Sequence, residues 1–258
     1  MPGSNATRMR QALSGLGLIL LAGVLFSRSD QTAPPLAMQG AAKGLQPAGS
    51  QPSSGSGLHF FLARERDAGL FAQLIAADRA WIPRAEVIPG VGTRYVYKKL
   101  ADQPPLTLDQ IKALLRHPPT FEAEQQAIRG LLQALRASGV RLTLGPPNQQ
   151  GAAGEWEPAT ATLRIRPDVP AKGSREFARV LNHEAIHVAQ SCSNGSLKAR
   201  PKPLGLPRSL DPAALRHLRE PIYSKASPSQ RLLEQEAYAN QERFSLGVQL
   251  VALHCSSG

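Results

Sequence analysis

The stretch LNHEAIHVAQSC, Leu181 to Cys192, constrains the chain more than any other segment. Residues four apart on a helix lie one above the other, so a helix here stacks His183 and His187 on one side with Val180 and Gln190. Phe177, Leu181 and Val188 fall on a separate apolar face. One face can pack while the other offers two imidazole nitrogens to a single metal ion, with Glu184 pointing to the side where a bound water sits. A five-residue pattern of this kind arises by chance in on the order of one chain in a hundred of this length. The decision therefore rests on a third ligand, because catalytic zinc usually takes three from the protein and leaves a fourth position to water.

The metzincin extension of the motif fails, since Gln190 stands where Gly is required and Ser193 where His is required. Downstream lies SPSQRLLEQEAYANQERFSLGVQLVALHC. Ser227 as N-cap, Pro228 at the first helical position and Gln230 completing a capping box predict a helix that starts there. On one continuous wheel Glu234 falls with Gln241, Ser245 and Gln249, a solvated side. Glu236 falls with Leu232, Leu233, Asn240, Gly247 and Val251, a carboxylate on a largely apolar face. A buried charge needs a partner. A metal ion is one candidate, and Arg243, near the same face, is the other.

These residues resemble the gluzincins, zinc metallopeptidases in which H-E-x-x-H is joined by a glutamate from a later helix. The likeness covers Phe121 to Cys255 and is concentrated in HEAIH and EQEAYAN. It implies Zn2+ held by His183, His187 and Glu236, with Glu184 as general base in peptide-bond hydrolysis. Thermolysin-like members carry, four residues after that glutamate, an aspartate that orients a ligand histidine. Asn240 stands there, and the separation from His187 to Glu236 is longer than in that type, so the likeness extends to the broad clan and to no named family. A non-catalytic envelope-binding protein on the same scaffold is the alternative, against which Glu184 argues, because a structural zinc site has no use for a base.

Hydrolysis also needs a donor for the developing oxyanion. His217, Arg219 and Tyr223, in LRHLREPIYSK between the two ligand helices, are the candidates, and Tyr223 and His217 are preferred. The loop LKARPKPLGLPRSLDP, Leu197 to Pro212, is expected beside the cleft. Cys192 and Cys255 suit one disulfide in an oxidising compartment. A straight helix from Glu236 would carry Cys255 about 30 Å away. The bridge therefore requires a bend or stop, expected near Gly247.

Along its length the chain divides into four stretches. In residues 1–26, Arg8 and Arg10 precede an apolar run from Ala12 to Phe26, with the charge order of a secretory signal. The run is shorter than the roughly 20 residues that span a bilayer, yet no A-x-A site follows it directly, so a cleaved signal and a membrane anchor both stay open. Residues 27–57, rich in Gly, Ser, Pro and Ala, read as a flexible linker. Residues 58–119 form the first part of the globular region, with helices expected over 68–78 and TLDQIKALLRH and a strand over 94–98. Residues 120–258 form the zincin-like catalytic domain. There FEAEQQAIRGLLQALRASG is an amphipathic helix, VRLTLG and TATLRIRP are strands, and REFARVLNHEAIHVAQ is the motif helix. The order suits an α+β fold with helices on a small mixed sheet.

The expected location is outside the cytoplasm: periplasmic, secreted or membrane-anchored. The formal net charge of +11 over 258 residues favours an anionic envelope or membrane surface as partner besides the peptide substrate. Nucleic acid is not expected, because no recognition-helix pattern or basic-aromatic interleaving is present.

Overall fold

The computed structural model describes residues 60–99, 104–224 and 226–255. The expected signal or anchor and the linker lie outside them. The chain is a mixed α+β fold built around one buried helix.

In chain order the elements are β1 (Phe60–Phe61), α1 (Asp67–Arg79), β2 (Arg84–Ile88), β3 (Gly92–Val96), α2 (Leu108–Arg116), α3 (Glu122–Ala137), β4 (Arg141–Leu144), β5 (Gly154–Glu157), β6 (Thr162–Ile165), α4 (Ser174–Cys192), α5 (Pro212–His217), α6 (Pro228–Asn240) and α7 (Leu246–His254). The capping boxes expected at α2 and α6 are formed: Thr107 and Ser227 accept from the backbone of Gln110 and Gln230, whose side chains reach back. Gly139, past the end of α3, has φ +84°, the left-handed geometry that glycine adopts without a Cβ penalty.

Four strands form a sheet in the order β1-β4-β6-β5. β4 and β6 are parallel, with Leu142 opposite Leu163 and Leu144 opposite Ile165. β5 runs antiparallel to β6 at the edge. The hairpin β2-β3 forms a separate two-stranded sheet. One strand begins later than its alternation suggests: Ala161 closes a 3₁₀ turn in the left-handed region (φ 49°), and β6 starts at Thr162.

α4 lies at the centre, against α3, α6, α7 and β5. Phe177, Leu181, Ala185 and Val188 join the core with Leu131 and Leu135 of α3, Leu163 and Ile165 of β6 and Leu70 and Leu74 of α1. Burying a side chain such as Phe177 contributes about 1.5 to 3 kcal/mol. The helix also buries Ser174, Asn182, His183, Glu184, His187, Gln190 and Ser191. Buried polar groups are tolerated where they are hydrogen-bonded, and most of these are. Asp78 of α1 accepts from Ser174 N at 2.7 Å and Ser174 Oγ at 2.6 Å, placing a carboxylate on the positive end of the helix. Trp156 Nε1 of β5 donates to Ser191 Oγ at 2.9 Å. Asn182 donates to the carbonyls of Asn240, Gln241 and Arg243 and accepts from Gly247 N at 2.9 Å.

That last set of bonds separates α6 from α7. The expected stop near Gly247 falls earlier: α6 ends at Asn240 and α7 begins at Leu246. Gly247 serves a different purpose, close approach, since a Cβ there would lie 2.4 Å from Asn182 Oδ1 and 3.0 Å from Leu131. The break returns the chain to the end of α4, where Cys192 and Cys255 form the expected disulfide with 5.1 Å between their Cα atoms. Among the described residues no helix is long and apolar enough to cross a membrane.

Candidate metal centre

His183 and His187 point from α4 towards one another, with 3.2 Å between their Nε2 atoms. Glu234 of α6 completes a triangle: Oε2 lies 3.4 Å from His183 Nε2 and Oε1 3.5 Å from His187 Nε2. These three side chains could hold a metal ion. Two amide oxygens support the imidazoles from behind. Gln241 Oε1 is 3.3 Å from His183 Nδ1 and Gln190 Oε1 is 2.7 Å from His187 Nδ1. An amide oxygen only accepts, so with the amides oriented this way Nδ1 carries the proton and Nε2 is left for the shared point.

Glu236 does not face the histidines, contrary to the sequence expectation. Its fully buried carboxylate accepts from the backbone amides of Leu204 (2.8 Å), Gly205 (2.8 Å) and Leu206 (3.1 Å) and from Gln190 Nε2 (3.1 Å). Glu234, expected on a solvated side, takes the inward position. The burial of Glu236 is as the wheel has it, with backbone amides and Gln190 as partners in place of a metal; the solvated side given to Glu234 rested on Gln241, Ser245 and Gln249, which lie beyond the end of α6 at Asn240. Asn240 touches neither histidine; it donates to the carbonyls of Pro207 and Glu236 and accepts from Arg243 Nη1 at 3.1 Å. Gln190 and Gln241 hold the places expected of it. The Leu197 to Pro212 loop packs over α6 through Leu204 and Leu206, and none of its residues lines the cleft.

The cleft itself measures about 480 Å³ and is bounded by the segment Gly151 to Gly154, by α4 and by the side chains of His217, Tyr223 and Tyr238. Glu184 is 5% exposed and borders it. Among the described residues no group donates a hydrogen bond to its carboxylate. Gly154 makes room for it: a Cβ there would lie 2.7 Å from Glu184 Oε1. Burial raises the Glu184 carboxyl above the ordinary range, opposed in part by the two histidines.

Tyr223 and His217 both reach the cleft, and Arg219 does not. The Tyr223 hydroxyl donates to Glu234 Oε2 at 3.2 Å and lies 2.9 Å from the Tyr238 hydroxyl. Burial, with Glu234 adding to it, pushes the Tyr223 phenol far above its usual value, so it remains a donor. His217 stacks on the Tyr238 ring and pairs through Nδ1 with Glu220 at 2.6 Å. Tyr238, which sequence reasoning passed over, also packs edge-on against His183. Its position one turn after Glu234 would have been the signal, had Glu234 been the glutamate chosen.

Comparison of the chain with family models, with curated proteins and with solved structures gave no match. The chemistry must be read from the centre itself. Burial alone would lower the His187 imidazole, but the neighbouring Glu234 carboxylate outweighs it and raises the group to about 9. Glu234 is correspondingly held well below the carboxylate range, against the effect of burial, by His187 and His183. Without a metal, a proton thus takes the place of the cation. The positive side chains on the wall are ion-paired, Arg166 and Lys172 sharing Asp168 and Arg179 with Glu176.

Proposed function

We propose that this chain is a zinc-dependent metallopeptidase with a zincin-like catalytic domain, exported from the cytoplasm. The observation that carries the reading is the convergence of His183, His187 and Glu234 beside an undonated, buried Glu184. Two imidazole nitrogens and one carboxylate oxygen are a donor set suited to zinc. Ligands about 2.0 to 2.1 Å from a tetrahedral ion stand roughly 3.3 to 3.4 Å apart. The two Nε2 atoms, 3.2 Å apart, fit that frame, and the Glu234 carboxylate spans the third corner, with Oε2 3.4 Å from His183 and Oε1 3.5 Å from His187. Glu234 thus replaces Glu236 in the role that the resemblance to gluzincins assigns to a downstream glutamate. The disulfide and the apolar run behind Arg8 and Arg10 support export.

Bound zinc would supply Lewis acidity, polarising the scissile carbonyl and making water acidic enough to lose a proton near neutral pH. The chain supplies the rest. Glu184, its basicity raised by burial, takes the proton from the attacking water and passes it to the departing amine nitrogen. The Tyr223 hydroxyl, kept protonated, would turn its single O–H from Glu234 to the charge developing on the carbonyl oxygen, while the Tyr238 hydroxyl donates to its oxygen. Gln190 and Gln241 hold the imidazoles.

The test is Glu184→Gln on the full chain, followed by zinc stoichiometry and by cleavage of a broad peptide library. One zinc per chain should remain while turnover falls roughly 100- to 10,000-fold, the range of a lost general base. Undiminished turnover would overturn the assignment. A zinc-loaded wild type that cleaves no peptide would support a binding protein instead.

A further inference from the structure

Gln190 has two ends, and both are committed. Its Oε1 accepts from His187 Nδ1 at 2.7 Å, while its Nε2 donates to Glu236 Oε2 at 3.1 Å and reaches the Leu233 carbonyl at 3.4 Å. A side-chain amide can rotate to exchange its donor and acceptor ends. Glu236 prevents that exchange, because a carboxylate receiving several N–H groups can only accept. Gln190 must then present its oxygen to His187, and His187 must answer with Nδ1–H and leave Nε2 for the metal. His183 has no equivalent lock: its partner Gln241 makes no second side-chain hydrogen bond among the described residues.

We propose that Glu236 is a positioning residue for the metal centre. It acts through Gln190 to fix the orientation of His187, and it joins the Leu204–Leu206 backbone to the same lock. The proposal rests on the metal-site reading. Glu236 can do this without touching the ion because α6 aims Glu234 at the histidines and Glu236, two residues on, at the side of α4 where Gln190 stands. The loop closes the arrangement from outside. Its three amides saturate the rest of the carboxylate, and Leu204 and Leu206 pack against Ile186, Ala189 and Ala237.

Zinc affinity of the full chain, measured by competition with a chromophoric chelator, tests the lock. Glu236→Gln should still bind one zinc per chain but roughly 10- to 100-fold more weakly, the usual effect of removing a group that orients a ligand. Gln190→Met, which leaves the loop contacts of Glu236 in place, should weaken zinc similarly and carries the test alone if Glu236→Gln fails to fold. The exchange Gln190→Glu with Glu236→Gln restores an amide-carboxylate contact and should recover part of the lost affinity, which a purely loop-anchoring role would not produce. Unchanged affinity in Gln190→Met, or in a folded Glu236→Gln protein, would overturn the proposal. So would complete loss of stoichiometric zinc in a folded Glu236→Gln protein, which would make Glu236 itself a ligand. A wild type that takes no zinc would instead bring down the metal-site reading, so the two failures are distinguishable.

Discussion

At the scale of single residues, the centre is a carboxylate and two imidazoles pressed into a space where charge is poorly solvated. In the metal-free protein the His187 imidazole keeps its proton up to about 9, against 6.5 for an ordinary histidine. The folded state therefore binds the proton more tightly than the unfolded chain does. Its contribution to stability is fully present below about 6.5 and is lost as the pH climbs through 9. The size is on the order of a few kcal/mol, since each tenfold gain in proton affinity is worth about 1.4 kcal/mol. In excess chelator, the urea midpoint should fall between pH 6.5 and pH 9. Zinc-saturated protein should lack that fall, because the ion and not a proton then occupies the centre. A flat profile in chelator would mean that His187 is neutral in the folded chain.

At the scale of elements, much was legible because caps and periodic faces are local. Thr107 with Gln110 and Ser227 with Gln230 announce α2 and α6 by their own chemistry. The apolar spacing from Ile128 to Leu135 marks α3, and HEAIH places His183 and His187 together on α4. What escaped was non-local. β5 has one buried apolar residue, Trp156, and exists because its backbone completes the edge of β6. The partner of Glu236 is a row of backbone amides, which leaves no mark on side-chain sequence. The end of α6 is set from another helix, by Asn182, whose amide nitrogen collects the Asn240, Gln241 and Arg243 carbonyls. Without that stop, α6 would run on through residues 241–245 and carry the chain away from the end of α4. Asn182→Ala should therefore cost roughly 2 to 3 kcal/mol, because several buried groups are left unpaired, when measured by urea unfolding. Asn182→Asp should be no better, because it keeps an acceptor for Gly247 N but sets an oxygen against three carbonyls. A cost for Asn182→Ala below about 0.5 kcal/mol, the low end for a single hydrogen bond, would show that the break is held by other contacts.

At the scale of the whole molecule, α4 is the shared wall of core and cleft, and its two ends are fastened by different means. Asp78 holds the N-terminus through Ser174, and the disulfide ties the C-terminus to the end of α7. The bridge spans 63 residues, and that loop includes α6, hence Glu234, as well as the Leu197 to Pro212 segment. By chain entropy such a loop contributes roughly 4 kcal/mol as an upper figure, acting on the unfolded chain. Neither cysteine lines the cleft. Stability and metal binding should therefore separate in the double variant Cys192→Ser, Cys255→Ser. Its unfolding free energy should drop by roughly 2 to 4 kcal/mol. Zinc stoichiometry and affinity at low temperature should stay near wild type, because α4 and α6 pack directly and Asn182 still fixes the break. Loss of zinc from a variant that remains folded would mean that the bridge, and not Asn182, holds Glu234 in register with the histidines.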